Sequence, residues 1–532
     1  MSEQVSLSPT DPAQVASGLP AQLRPVQSRS VIPYVVDRLD AVFALVMLVL
    51  GFLAWNWIWP RLGRSNIFFP GISVTLYFVL SVAVSLTYFK MRHVALTKPA
   101  IGGAVLILLV ALPFALYNTT PVHFVAGVVL VACYVTWHAM AAGTAVSSHL
   151  NGLTGADLVN QAFVTPLLNA GSWFSAVRQM IKERRNSTRL VFAIIGTVVA
   201  LPVIVAVLVL LMQSDGNFNS WMSRFVHSLA SVNVWHFLWQ IILGVPIAIY
   251  LFALLYGNAY KRRTSVVSVQ GVAKAAQTIR KVPVSAVAAP MAILCLMYLV
   301  FFAAMGSYLL SAMWRKLPAQ FTYAEYARRG FFELAVVAAI NLAVIGFAYW
   351  FAVRGQRGYA TSLRVLGGVI CGLTLLLIVT DISKMVLYVD QFGLTRLRLY
   401  TLWFMALMFV VFALVGVRHV KRFNVGAPVA WVTLFAFLVL LWANSDGLIA
   451  QYDVNRVLNG TSSTVDVSYL TNSVGGAAAP ALTKLANDGP DPAVRAAAEY
   501  SLASLRHDAA TTTVPWASWT WQSFHANQLL GK

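Results

Sequence analysis

The sequence predicts an all-α, polytopic transmembrane helical bundle of about eleven spans, amino terminus inside and carboxyl terminus outside, with a small helical domain at its carboxyl end. Three observations predict it. The 532 residues are 59% hydrophobic and only 11% charged, with mean hydropathy +0.72, and such a chain cannot shelter its apolar side chains in one or two soluble cores. The apolar residues fall into segments of about 20, the number needed to cross roughly 30 Å of hydrocarbon at a rise of about 1.5 Å per residue. Lys and Arg, finally, are unevenly shared between alternate loops, as the positive-inside rule requires.

The opening "MSEQVSLSPTDPAQVASGLPAQLRPVQSRS" is rich in Ser, Pro, Gln and Ala and lacks the apolar core of a cleavable signal peptide. Residues 1–40 are therefore expected to be a flexible cytoplasmic tail retained in the mature protein. Residues 41–444 make the transmembrane domain, with spans expected over 41–59, 69–89, 100–117, 122–141, 190–212, 233–259, 286–312, 331–353, 365–389, 399–417 and 428–444. The third is short and the fourth contains His123 and His138, so this pair has the weakest signal.

On the amino-terminal side, the tail and alternate loops hold 23 Lys and Arg, against 9 on the other side, which sets the orientation. The formal net charge of +20 is explained by these loops, and no nucleic-acid partner is expected. Within residues 142–189, "LVNQAFVTPLLNAGSWFSAVRQMIKERR" has helical apolar spacing and a basic end. It suits a helix on the inner membrane surface or one packed on the bundle. The loop with Lys261, Arg262, Arg263, Lys274, Arg280 and Lys281 is topogenic, with docking of a protein or anionic lipid as the alternative.

After Asn444 the composition turns polar. Residues 445–532 are expected to form a small extracytoplasmic domain: a HEAT-like helical hairpin with helices near 477–486 and 492–505, Pro492 in the first turn of the second. Trp516, Trp519 and Trp521 in "VPWASWTWQSF" suit an interfacial belt or a cover for the hairpin.

The candidate site comes from charge inside apolar segments. Counted from Val365, Asp381 falls about 24 Å along the ninth span, near the outer boundary. Thr374, Asp381, Lys384, Tyr388 and Gln391 share one helical face if the helix continues, and Asp381 with Lys384 can pair as i and i+3. Glu325, Tyr326, Arg328, Arg329 and Glu333 precede or begin the eighth span at the same boundary, joined by Asp390, Arg396 and Arg398. Ala335, Ala339 and Ala343 form a small-residue stripe that would let the eighth helix approach a neighbour. The candidate outer-face binding cluster is thus Asp381, Lys384, Tyr388, Glu333, Arg328, Arg329, Arg396 and Arg398; its bland alternative is a neutralised pair at the surface. A further expectation is that the acidic-leaning carboxyl-terminal domain docks on the outer loops holding Arg315, Lys316, Arg328, Arg329, Arg396 and Arg398.

Cys133, Cys295 and Cys371 lie in apolar segments without metal or redox spacing. No phosphate-binding loop, nucleophile elbow or zinc signature is present, so no cofactor, metal or catalytic residue is assigned.

The stretches "FTYAEYARRGFFELAVVAAINLAV", "LYVDQFGLTRLRLY", "NSDGLIAQYDVNR", "DVSYL" and "GGAAAPALTKL" resemble motifs of a bacterial polytopic membrane-protein family known only as a domain of unknown function, of the 4153/4173 type. The resemblance covers about the last 220 residues and implies a bacterial inner-membrane protein with no residue roles to transfer. The expected function is a non-catalytic envelope component that senses or assembles with a membrane or envelope protein partner. A permease for a small solute is the alternative; it would want charge near the midplane or an internal repeat. A membrane-embedded transferase, in which Asp381 and Glu333 converge, is the third reading. The lipid bilayer itself is the one partner that composition demands.

Overall fold

The computed structural model describes residues 34–58, 61–62, 67–68, 70–145, 154–182, 234–264, 282–311, 331–351, 359–421 and 423–531, with isolated positions between 207 and 222. Among those residues the regular elements are helices, except for a two-residue antiparallel pair, Arg61–Leu62 with Ile67–Phe68. Among the described residues, eight helices are long and apolar enough to cross a membrane. Most of the expected span 190–212 lies outside the described residues, as do most of the basic loop 261–281 and all of Arg315, Lys316, Glu325, Tyr326, Arg328 and Arg329.

The first half contains α1 (Arg38–Ile58), α2 (Ile72–Met91), α3 (Lys98–Ala111), α4 (Thr120–Ala142), α5 (Gly171–Lys182) and α6 (Val234–Ala259). Thr97 caps α3 by accepting from the Ala100 amide. Pro113 ends it, because its ring blocks the preceding carbonyls and it has no amide to donate, so the span continues as the separate turn Pro113–Leu116. α4 stops at Gly143, which takes the left-handed conformation of a helix C-cap at φ 66°. α1 and α6 cross closely at Gly51, where a Cβ would overlap the backbone of Gly244. A core of Met47, Leu50, Ile107, Leu130, Phe252 and Leu255 joins all five long helices except α2, which adds Phe89. Between spans such side chains stabilise by close van der Waals packing, since lipid tails are as apolar as the core they leave.

α5, the amphipathic segment, packs on this bundle: Trp173, Ala176 and Val177 are buried and the Trp173 indole donates to the Ala44 carbonyl at 3.2 Å. The described end of the amino-terminal segment is held too. Tyr256 donates to the Val35 carbonyl at 2.8 Å, and Asp40, expected in the tail, lies inside α1.

The second half contains α7 (Val284–Ser311), α8 (Phe331–Phe351), α9 (Tyr359–Phe392), α10 (Arg396–Val420) and α11 (Gly426–Trp442). α9 is one helix of 34 residues, about 51 Å long. Against the expected stripe, Ala339 is exposed and α8 instead buries Ala338, Asn341, Ile345 and Ala348. Those four follow the 3–4 spacing that fits the α9 surface, and Ala339 and Ala343 fall on the opposite side.

α11 does not run on straight. At Asn444, in left-handed conformation with its side chain accepting from the Gly447 amide, the chain bends by 65° into α12 (Ser445–Leu458). α12 carries Asp446, Asp453 and Arg456 and lies beyond the spans, because its apolar face enters a second core at the carboxyl-terminal end, which Val389 and Leu394 join. That core also uses α13 (Ala479–Asp488), α14 (Pro492–Thr511) and α15 (Trp521–Leu529), with Ile449, Leu470, Leu482, Leu485 and Leu502 at its centre. Asp491 caps α14 just before Pro492.

The carboxyl-terminal segment then straps this module to the bundle. The Gly71 and Ile72 amides donate to the Ala517 and Trp519 carbonyls at 2.7 and 2.9 Å, and Trp516 meets Trp57 edge to face at 5.4 Å. Gln522 accepts from the Asn118 amide and donates to Asn444. Of the Trp residues expected at an interface or over the hairpin, Trp516 and Trp519 tie the tail to the α1–α2 corner, at the level of the helix ends. The module therefore sits at the end of the bundle opposite the start of α1, here called the carboxyl-terminal face.

Candidate functional site

α9 places the polar side chains, and its register against α10 fixes their depth. His419 packs on Gly367 and Gly416 on Cys371, while the Arg398 guanidinium stacks on the Tyr388 ring at 4.0 Å. These pairs put Asp381 opposite Met405, nine residues from the Arg396 end of α10, hence about 13 Å into the bundle. The expected span 365–389 put Asp381 eight residues from its end, about 12 Å, so the two counts place the pair at nearly the same level of the bundle.

At that depth Lys384 Nζ donates to Asp381 Oδ1 at 3.3 Å, with the two side chains only 4% and 7% exposed. Burial of a charge pair inside a span is costly unless the partners satisfy each other, and the i, i+3 spacing on one helix supplies that pairing. Toward the amino-terminal face the stripe continues as a hydrogen-bonded chain: Tyr298 of α7 donates to Asn341 of α8 at 2.7 Å, and Asn341 to Thr374 at 2.8 Å. This contact also sets the antiparallel register of α8 on α9, which brings position 333 to the height of Asp381. The Glu333 side chain, like Arg328 and Arg329, lies outside the described residues.

The five candidates with described side chains, Asp381, Lys384, Tyr388, Arg396 and Arg398, do not form one cluster. Tyr388 and Arg398 make a second unit, in which Arg398 also donates to the Phe392 and Gly393 carbonyls that end α9. Arg396 belongs to a third. Its guanidinium grips buried Asp446 of α12 through two bonds of 2.6 Å, and its amide donates to the Tyr469 hydroxyl at 2.9 Å. Beside it the Leu394 amide donates to Asp453 at 2.7 Å, and Gly393, at φ 79°, lets the turn approach that carboxylate. Burial pushes the Asp453 carboxyl up to about 6, opposed by the Leu394 amide, Arg456 and Arg398.

Among the described residues no group of three His, Cys, Asp or Glu side chains stands close enough to hold a metal ion. The geometry offers a charge pair within the span and a clamped junction above it. A family model described as "Domain of unknown function (DUF4153)" matches residues 103–485. The chain belongs to this family. The DUF4153 match starts far upstream of the carboxyl-terminal motifs and takes in α4 to α12, so it spans parts of both halves of the bundle, while α1 and α2 precede it. No curated protein and no solved structure matches the chain.

The sequence reading missed a charge cluster at the amino-terminal face. Asp40, fully buried, accepts from the Tyr88 hydroxyl at 2.6 Å and the Tyr260 hydroxyl at 2.9 Å and pairs with Arg92. Arg92 also holds Asp37 through two bonds, and its guanidinium keeps the Asp37 carboxyl down at about 2. Acids at the start of α1 and a base at the end of α2 were the available signal, since antiparallel neighbours bring those ends together.

Proposed function

We propose that this DUF4153 protein is a non-catalytic, multi-pass component of a bacterial inner membrane that senses a condition or assembles a partner at its carboxyl-terminal face. In this reading that face is extracytoplasmic and the amino terminus is inside, in accord with the 23 to 9 charge bias. The observation that carries the reading is a shared core. Val389 at the end of α9 and Leu394 in the following turn are buried together with Ile449, Leu470 and Leu482 of the module, so a load on the module reaches the helix that bears the Asp381–Lys384 pair.

A photo-crosslinker at Tyr500, 79% exposed on α14, should capture a discrete envelope protein in intact cells. No discrete adduct, together with a normal phenotype after removal of residues 445–532, refutes the reading. A reporter active only outside the membrane should work when fused after Lys532 and be silent within 261–281; the reverse pattern refutes the orientation.

The permease reading is favoured by one specific observation, the charge pair within the span with position 333 at its height. Proteoliposomes holding the purified chain should then pass a small solute or protons, and Asp381→Asn with Lys384→Met should stop the flux while leaving the fold intact. Flux equal to that of empty liposomes removes this reading.

A further inference from the structure

Between α4 and α5 the chain is helical from Thr154 to Asn169, with a π-turn at Asn160–Val164. This stretch is amphipathic the wrong way round for water. Asn160, Gln161, Thr165 and Asn169 are buried against the bundle, as is Ser172 at the start of α5, while Leu158, Val159, Leu168, Phe163 and Leu167 are exposed, the last two at 61% and 70%. Specific bonds hold the polar side inward. Asn258 of α6 accepts from the Thr144 hydroxyl and donates to Gln161 at 2.7 Å. Asn169 donates to the Thr165 and Arg262 carbonyls, both at 2.9 Å, and Gly257 lacks the Cβ that would meet Thr165 and Asn169. Tyr250 donates to the Ala162 carbonyl in the π-turn at 3.1 Å.

Two costs identify the medium outside. Among the described residues, Gln161 Nε2, Asn169 Oδ1 and Ser172 Oγ are buried with no hydrogen-bond partner, and five large apolar side chains are left bare. In water, rolling the stretch over would relieve both, because it would hydrate the amides and bury the apolar groups. Against hydrocarbon the preference reverses: apolar side chains face outward at no cost and polar ones are driven into the protein. Position agrees. The stretch packs on α4 and α6, and its bonds to the α6 side fall between Tyr250 and Thr264, at the end of that span and beside the end of α4. On α4, Phe124, Val125, Val128 and Val131 are exposed, but from 132 to its end at 142 no side chain is. The outward apolar side chains of the stretch take over where those of α4 stop. We infer that residues 154–169 form an interfacial helix whose outer face, Phe163 and Leu167 foremost, packs against the acyl chains of the leaflet at the amino-terminal face. The inference holds for either orientation of the chain and is independent of the function proposed above.

The test is nitroxide labelling of the full chain in phosphatidylglycerol–phosphatidylcholine nanodiscs, with Cys133, Cys295 and Cys371 replaced by Ala. Labels on Phe163→Cys and Leu167→Cys should collide with dissolved oxygen in preference to a water-soluble nickel chelate. Val128→Cys, at a position 61% exposed on α4, calibrates the lipid response, and Tyr500→Cys on α14 the aqueous one. Preference for the chelate at 163 and 167 overturns the proposal, since the face is then wetted. Shielding from both reagents overturns it too, since another part of the chain, a second copy or a protein partner then covers the face. A label-free measurement stands beside it: Phe163→Gln with Leu167→Gln should lower the thermal unfolding temperature in nanodiscs, and Phe163→Leu with Leu167→Phe should leave it unchanged. An unchanged or raised temperature in the double Gln variant, the response of a wetted surface, overturns the proposal as well.

Discussion

Replacing Lys384 by Met tests the depth of the charge pair directly. The pair is 3.3 Å apart and almost sealed from solvent, so Lys384→Met leaves the Asp381 carboxylate without this ammonium, and Asp381→Leu removes the carboxylate that faces Lys384. Breaking a buried pair from one side costs about 3–5 kcal/mol, while replacing both members by apolar groups is often neutral or better. Each single variant should therefore lose about 3 kcal/mol or more. The double variant should lose less than about 1 kcal/mol, giving a coupling of at least about 2 kcal/mol. Denaturant unfolding of the full chain in micelles, followed by circular dichroism, measures all four proteins. If both singles fall within about 0.5 kcal/mol of wild type and simply add, the pair is hydrated and the register argument for its depth is wrong.

Tyr260→Phe should destabilise the chain by about 1.5–3 kcal/mol, the worth of a hydrogen bond to a charged group, because it removes one donor from buried Asp40; an unchanged unfolding curve would refute the assigned network. Asp453, raised to about 6 by burial, binds a proton more readily in the docked state, so its contribution is fully present below its unfolded value of 3.8 and is lost as pH rises through about 6. The Leu394 amide should thus exchange more slowly, after correction for intrinsic rates, at about pH 5 than at about pH 7.5, and Asp453→Asn should remove the difference. Gly367→Ala would drive a Cβ into the His419 ring and should cost about 1–3 kcal/mol by overpacking, read from the same unfolding curves; no loss would mean that α9 and α10 are not in this register.

The apolar runs alone located the described spans to within a few residues, as with 233–259 for Val234–Ala259 and 286–312 for Val284–Ser311. A spanning segment is legible because its transfer free energy is a sum over its own residues. The pairing of Asp381 with Lys384 was legible for the same reason: both partners sit on one helix, three residues apart. Local capping chemistry likewise marked Pro492 as the start of α14. What only the tertiary structure decided is which helix ends meet. Arg92 lies 52 residues from Asp40 and Tyr260 lies 220 from it, and no local pattern joins them until α1, α2 and α6 share a face. The outward turn of Ala339 and the grip of Arg396 on Asp446 both follow from the register of neighbouring helices. That register is set by side-chain packing between segments distant in sequence, a property of pairs of helices that no single helix encodes.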